Sequence, residues 1–396
     1  MDFQLTEEQR ILQESARRLA QDKFAEKAFT WEERDEYPWE NAKILAENGF
    51  TGITITEEDG GQGGTLFDAV LVLEQISQVC PHTGDVVQAT NFGAIRQLAL
   101  YGAKELKARV LPSILGGERL ITVGMSEPNA GSAATDLRTK ARVEGDEVII
   151  NGNKIFNSNG NHAHYYVVWV RFGEDVRSSG AVLVERDSPG FSQGKVERHM
   201  SGEPHCMLYF DDCRVPKGNV LLWEDGFAKL MPVFNIERTG NATRSLALGQ
   251  AAFDRAVKHA QERIQFDRPL CEFQGLQWKF ADMKMKLDAA RLLLYRSVVN
   301  AVDGKPSPLE ISMAKAFCNQ VGFEVANEAL QILGGYGYSR EFPLEYLVRR
   351  TRGWMIAGGS IEMMKNRIAE SIFGRRFRQR PPRGKGRGSG ISDKNE

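Results

Sequence analysis

The stretch SEPNAGSAATDL, residues 126–137, sets Ser126, Gly131 and Ser132 on a loop of small residues behind a run that reads as a β-strand. With no bulky side chain in the way, backbone N–H groups and hydroxyls on such a loop can come close to a pyrophosphate or to the edge of a flat ring. Alone, the pattern is more often an ordinary turn between two strands. A companion stretch, NGNKIFNSNG at 151–160, follows an aromatic residue, Phe156, with a hydroxyl at Ser158. That pairing can cover a flat ring and donate a hydrogen bond to it, or it can be a hairpin with a core phenylalanine.

Both stretches lie in one sheet-like texture. From Leu120 the runs LITVGMS, KARVEGDEVIINGNKIF, AHYYVVWVRF, GAVLVER and CMLYFDD are short, β-branched and aromatic, and Gly, Asn, Asp and Pro separate them. They predict a β domain of roughly a hundred residues. Ahead of it, Ile11, Leu12, Ala16, Leu19 and Phe24 recur at helical spacing, with Thr6 and Gln9 in capping-box positions. Helical patterns continue to about Gly117 around the glycine-rich loop EEDGGQGG. After Pro232 the helical period returns in four patterns, around 234–265, 272–303, 308–332 and 344–373. The predicted architecture is α+β: an N-terminal helical domain (1–117), a middle β-barrel or sandwich domain (118–232) and a C-terminal four-helix bundle (233–376). A basic, Pro- and Gly-rich tail (377–396) reads as disordered.

With 396 residues, 42% of them hydrophobic, the chain can bury a core spread over two or three domains. A net charge of −1 argues against a nucleic-acid partner for the body, leaving a tether as the minority reading of the tail. Five scattered cysteines, without CxxC or a neighbouring histidine pair, point to reduced thiols rather than a metal site or a disulfide scaffold. The start, MDFQLTEEQ, is acidic and polar, so no targeting segment is expected, and no apolar run is long enough to span a bilayer. A soluble cytoplasmic protein is the expectation.

Together the two ring-binding stretches, on a β domain set between helical domains, strongly resemble the acyl-CoA dehydrogenase family of FAD enzymes. The resemblance extends through FDDCRVPKGNVL, ERIQFDRPLCEFQGLQWKFADM and LQILGGYGYSREFPLEYLVRR, and covers residues 1 to about 375. It implies that Val123, Met125, Ser126, Ser132, Phe156, Ser158 and Ser360 hold FAD. Arg263, Phe266, Gln274, Gln331, Gly334 and Gly335 would reach the FAD of a neighbouring subunit in a homotetramer or homodimer. An arginine suits a pyrophosphate and paired glycines suit close backbone approach, although GGYGY alone would read as a turn between helices.

In such enzymes a carboxylate removes the α-proton of an acyl-CoA thioester while hydride leaves the β-carbon for the flavin, and donors meet the thioester oxygen. Most members are expected to carry that glutamate in the last long helical region, where alignment on GGS puts Gly358. Glycine cannot take a proton. Isovaleryl-CoA and long-chain acyl-CoA dehydrogenases carry the base on the first helix of the C-terminal domain, before an arginine, and here that stretch reads FNIERTGNATRSLALGQ. Glu237 stands at the base position, with Asn235 and Arg238 as implied substrate contacts; the competing reading is a Glu-Arg pair on a solvated helix face. Gly358 keeps its N–H and can still donate to the thioester oxygen.

Two departures bear on the substrate. The family's Gly-x-Arg-x-Ser is HMSGE here, so Glu203 stands in place of a small hydroxyl residue and puts a contact on the CoA side in doubt. The expected pocket floor, residues 80–97, is polar, with His82, Asp85, Gln88, Thr90, Asn91 and Arg96. This predicts a short, branched or polar acyl group, with Asp85 either selecting a cationic or hydrogen-bonding substrate or facing solvent. SEPNAGSAA and FQGLQW also resemble a branch of sulfinopropionyl-CoA desulfinases, whose members lack a carboxylate at both base positions. The rival readings are therefore a redox-neutral lyase, an enoyl-CoA reductase or, from another class, a nucleic-acid-binding flavoprotein. The resemblance also implies an electron-transferring flavoprotein as partner.

Overall fold

The computed structural model describes residues 4–31 and 36–377; the basic tail lies outside them apart from its first residue. The N-terminal unit holds α1 (Glu7–Leu19), α2 (Trp39–Glu47), α3 (Leu66–Val79), α4 (Pro81–Asn91), α5 (Ala94–Tyr101) and α6 (Lys104–Leu115). Thr6 caps α1 in a reciprocal box with Gln9, as its spacing predicts. Ile11 departs from the predicted stripe and is exposed, because α1 turns only its Ala16 side fully inward before a π-helical turn at Ala20–Phe24. Helix α3 is apolar nearly all round and is buried along almost its whole length, as expected of a helix at the centre of a layer.

The middle unit is one eight-stranded sheet of β1 (Ile121–Gly124), β2 (Lys140–Glu144), β3 (Glu147–Ser158), β4 (Tyr165–Arg171), β5 (Ser179–Glu185), β6 (Phe191–Arg198), β7 (Pro204–Pro216) and β8 (Val220–Leu222). The strand order is β6-β7-β3-β2-β4-β5-β8, with β1 parallel to β4. The loop 126–137 leaves β1 and returns to β2. Phe156 falls where the β3–β7 register shifts between Lys154 and Asn157, a bulge that re-aims a side chain.

The C-terminal unit holds α7 (Gly226–Glu262), α8 (Gln274–Val299), α9 (Pro308–Leu333), α10 (Gly335–Tyr338), α11 (Leu344–Trp354) and α12 (Ile361–Ile372). Two sequence expectations need correcting. Helix α7 begins at Gly226, ahead of Pro232, because a proline near the start of a long helix removes one hydrogen bond without ending it. The pattern at 344–373 is two helices, broken by a turn at 355–360 in which Gly358 and Gly359 take positive φ of 71° and 92°. Ordinary residues rarely adopt that backbone.

The small residues after Glu237 serve the packing of α7 on α9. A Cβ at Gly249 would lie 2.9 Å from Gly322 Cα, and one at Gly322 would overlap the Ser245 carbonyl. The helices cross backbone to backbone, and the small residues of TGNATRSLALG allow that approach. Among the described residues, no helix is long and apolar enough to cross a membrane.

Candidate active site

Glu237, Asn241 and Arg244 follow one another at i, i+4 and i+7 and so share a face of α7. The Glu237 carboxylate reaches the α4–α5 junction, where a Cβ on Gly93 would stand 2.7 Å from its Oε2. Gln88 of α4 lies alongside, with Nε2 donating to the Glu237 carbonyl at 3.5 Å and Oε1 buried without a hydrogen-bond partner. Gly240 makes room for Gln88, since any Cβ there would overlap its amide. Burial pushes the Glu237 pKa up, while Arg244 and a hydrogen bond from Gln88 hold it back. Glu237 is therefore a partly buried carboxylate beside N-terminal helices, and the solvated-face reading fails.

The turn 355–360 meets this face. Asn241 Nδ2 lies 2.7 Å from where a Cβ of Gly358 would be. Arg238 Nε donates to the Gly358 carbonyl at 3.0 Å, and its NH1 donates to Asn235 Oδ1 at 2.8 Å. Arg238 and Asn235, expected as substrate contacts, thus bind each other and the turn, and both are buried. The Ile356 and Ala357 N–H groups each donate to the Gly353 carbonyl at 3.0 Å. Among the described residues, the N–H groups of Gly358 and Gly359 have no acceptor within the chain. A one-residue change of register would move the missing glutamate to Ala357, which is equally unable to take a proton. Ser360, expected at the cofactor, caps α12 by accepting from Met363 N–H at 3.4 Å.

Asp85 is neither a free selector of cationic substrates nor solvent-facing. Arg244 NH1 donates to its Oδ1 at 2.5 Å and Arg350 NH2 to its Oδ2 at 2.6 Å, all three residues being buried. Arg350 also pairs with Glu203 at 2.9 Å, so the glutamate that departs from the family's small hydroxyl is an internal partner. Arg350 holds the Glu203 pKa down to about 2 against the opposing effect of burial. One chain of charges therefore joins α4, α7, α11 and the β6–β7 connection. Other polar residues of 80–97 are also used internally: Asn91 accepts from Ile53 N–H at 2.6 Å and donates to the Phe50 carbonyl, and Arg96 binds the Thr54 carbonyl.

On the sheet, Phe156 has a positive φ of 58° and a ring 60% exposed. A non-glycine residue in that region is strained, and such strain gathers at functional positions. Ser158 Oγ is 2.8 Å from His205 Nε2, and His205 stacks on His199 at 3.7 Å. Val123, Met125 and Ser126 are half-buried and Ser132 is exposed. The loop they begin is braced by Glu127, which accepts from Arg138 N–H at 2.5 Å, from Thr139 N–H at 3.0 Å and from Lys154 Nζ at 2.7 Å. Burial drops the Lys154 ammonium to about 8 even beside that carboxylate.

The remaining expected cofactor residues sit elsewhere. Arg263 ends α7, Gln274 begins α8, and Gln331, Gly334 and Gly335 lie at the α9–α10 junction. The Arg263 guanidinium lies over Tyr336 at 5.7 Å, Phe266 is 88% exposed, and a Cβ at Gly334 or Gly335 would meet nothing within 4 Å. At 1.5 Å per residue, Arg263 is roughly 39 Å along α7 from Glu237. An exposed aromatic beside a braced small-residue loop fits a flat ring, and an arginine beside open glycines fits a pyrophosphate or its nucleoside. The described chain holds the two halves apart.

Sequence reasoning missed Glu127, Lys154, Gly93, Asn241 and Arg244, and it named Gln88 only as one of the polar residues of the expected pocket floor. The available signals were a lysine inside an apolar strand and an arginine inside a small-residue helix.

Comparison with known proteins follows the three units. Residues 6–118 match the acyl-CoA dehydrogenase N-terminal domain, 122–213 the middle domain and 224–373 the C-terminal domain. A 3-sulfinopropanoyl-CoA desulfinase of Paraburkholderia xenovorans is 37% identical over 96% of this chain and 99% of its own. An acryloyl-CoA reductase (NADH) of Anaerotignum propionicum is 36% identical over 95% and 97%. The structure of butyryl-CoA dehydrogenase from Megasphaera elsdenii superposes with a TM-score of 0.89 at 31% identity, covering 94% of this chain and all of that one.

Proposed function

Because the chain belongs to the acyl-CoA dehydrogenase family, FAD-dependent oxidoreductases acting on the CH–CH bond of acyl-CoA thioesters, we propose that it dehydrogenates an acyl-CoA with Glu237 as base. The observation that carries this reading is that Glu237 is a partly buried carboxylate on the helix face that also meets the Gly358 turn. A pKa raised by burial suits it to take the α-proton near neutral pH. The free N–H of Gly358 is the donor to the thioester oxygen as enolate charge develops. FAD, when bound between the sheet and the helices, supplies the hydride acceptor. Phe156, Ser158, Val123, Met125 and the loop carrying Ser126 and Ser132 would hold its ring.

The substrate we propose is short, branched or polar. The Asp85–Arg244–Arg350 network begins two helical turns beyond Glu237, and an alkyl tail laid against such charges would gain little from burial. Octanoyl-CoA reducing the flavin faster than butyryl- or isobutyryl-CoA would remove this idea.

We also propose that the enzyme is a homo-oligomer and that an electron-transferring flavoprotein is its oxidant in a cytoplasmic setting. Arg263, about 39 Å along α7 from the base, would serve a neighbour's FAD together with Phe266, Gln274, Gln331, Gly334 and Gly335. Trp278, Met285, Leu292 and Val299 recur at seven-residue spacing on α8, all at least half exposed, an apolar stripe of the kind that a second copy covers.

The deciding experiment is anaerobic bleaching of the bound flavin by a panel of acyl-CoAs, with wild type and Glu237→Gln compared. Bleaching by wild type alone supports the assignment. No bleaching by any thioester, with sulfite released from sulfinopropionyl-CoA or acryloyl-CoA reduced, would favour a second reading, which the two named relatives keep in view.

A further inference from the structure

Lys315 lies on α9 with no exposed surface, and nothing above uses it. Its Nζ donates to the Trp354 carbonyl at 3.0 Å and to the Gly359 carbonyl at 2.5 Å. Asn319, one helical turn on, donates to the same Trp354 carbonyl at 2.6 Å. With Arg238 on the Gly358 carbonyl at 3.0 Å, donors from two helices grip the turn from behind. Among the described residues, no carboxylate forms an ion pair with Nζ; Glu362 acts on it only at longer range.

A buried ammonium without a counter-ion is costly, and burial together with Arg238 pulls Lys315 down to about 7. If the site needed filling alone, a methionine would do so without that cost. The turn does need holding. Its free N–H belongs to a Gly-Gly pair, the most permissive backbone a chain can have, and an oxyanion donor works only when it is fixed beforehand. A single atom bonded to carbonyls on both sides of that pair closes the turn into a ring.

We propose that Lys315 is a positioning residue for the thioester-oxygen site: by bridging the carbonyls of Trp354 and Gly359 it holds the Gly358 N–H in place. This rests on the reading of Gly358 as the donor. Lys315→Met keeps length and apolar bulk while removing donors and charge, and Lys315→Gln keeps a neutral donor.

The holoenzyme variants are read in three ways: FAD content with thermal unfolding, kcat against KM, and the charge-transfer band formed with a non-reacting 3-thiaacyl-CoA, which reports how far the bound thioester is stabilised as its α-anion. Removing a direct oxyanion donor costs about 10²–10³-fold, so Lys315→Met should lower kcat by about 10–100-fold with KM changed less than about threefold. It should also weaken the band at saturation while retaining FAD, with Lys315→Gln intermediate. Unchanged kcat and band in a folded Lys315→Met overturn the proposal, and so does failure of both variants to bind FAD, which would make the residue structural. If wild type neither bleaches with any acyl-CoA nor gives the band, the donor assignment falls and takes this inference with it. If wild type does both and the variants match it, Lys315 alone is at fault.

Discussion

The Glu237 centre and the Arg263 end of α7 are built in opposite ways. Around Glu237, α4, α7, α9 and the turn 355–360 lie against one another, and several charged groups find partners inside the chain: Asp85 with two arginines, Arg238 with Asn235 and Gly358, Lys315 with two carbonyls. At the far end, Phe266 and Tyr338 stand more than 80% exposed beside glycines whose missing side chains would touch nothing. One centre is preorganised by its own packing; the other presents groups to something outside the chain. A residue's chemical type therefore says less about its role than whether its partners lie within the same fold.

Glu237→Gln tests the closed centre most severely. Loss of a general base should lower kcat by on the order of 10³-fold with FAD retained, since the substitution keeps shape and hydrogen bonding; a kinetic and spectral comparison checks this. Asp85→Asn should be the most damaging change to stability. Two buried arginines would be left under-compensated, at a cost of about 3–5 kcal/mol, readable as a fall in the urea midpoint, whereas a change below about 1 kcal/mol would mean that the network is better solvated than its geometry implies.

At the open end, Arg263→Gln and Gly335→Ala should leave folding nearly unchanged, within about 0.5 kcal/mol for the exposed arginine, since Gly335 has ordinary helical backbone and open space around its Cα. Both should loosen FAD, seen as cofactor loss on gel filtration. If Gly335→Ala instead unfolds the protein, that end is structural and does not present its groups outward. Trp278→Asp together with Met285→Lys should shift the sedimentation coefficient to that of a smaller species, while the isolated subunit keeps its helical signal.

The smallest effect is one of pH. Since burial raises the Glu237 pKa, the stability this residue contributes is full below the ordinary carboxylate value of about 4.3 and is lost as pH rises through the higher folded value. Wild type should therefore lose stability relative to Glu237→Gln over that window, while kcat/KM rises with pH across it. A flat difference would place the carboxylate in water.

Much of the fold could be read locally. The Thr6–Gln9 box, the sheet-forming runs after Leu120 and the position of Glu237 before Arg238 depend on neighbours in the chain. The break at 355–360 was harder, because Gly358 and Gly359 sit inside a pattern whose period continues on either side. The partners of Asp85 could not be read at all. They lie 159 and 265 residues away, and an aspartate on a helix carries no local mark of being buried.

The sequence by itself determined the three-part order of elements, through hydrophobic periodicity, and it carried the stretches whose resemblance to a family pointed to Glu237 as the candidate base. Only the tertiary structure decided that Asp85 and Glu203 are consumed by arginines and that α7 is thinned by glycine so as to cross α9. It alone showed that a lysine from α9 holds the turn opposite Glu237. Those are contacts between groups far apart in the chain, and their energies depend on burial and distance that a linear order of residues does not contain.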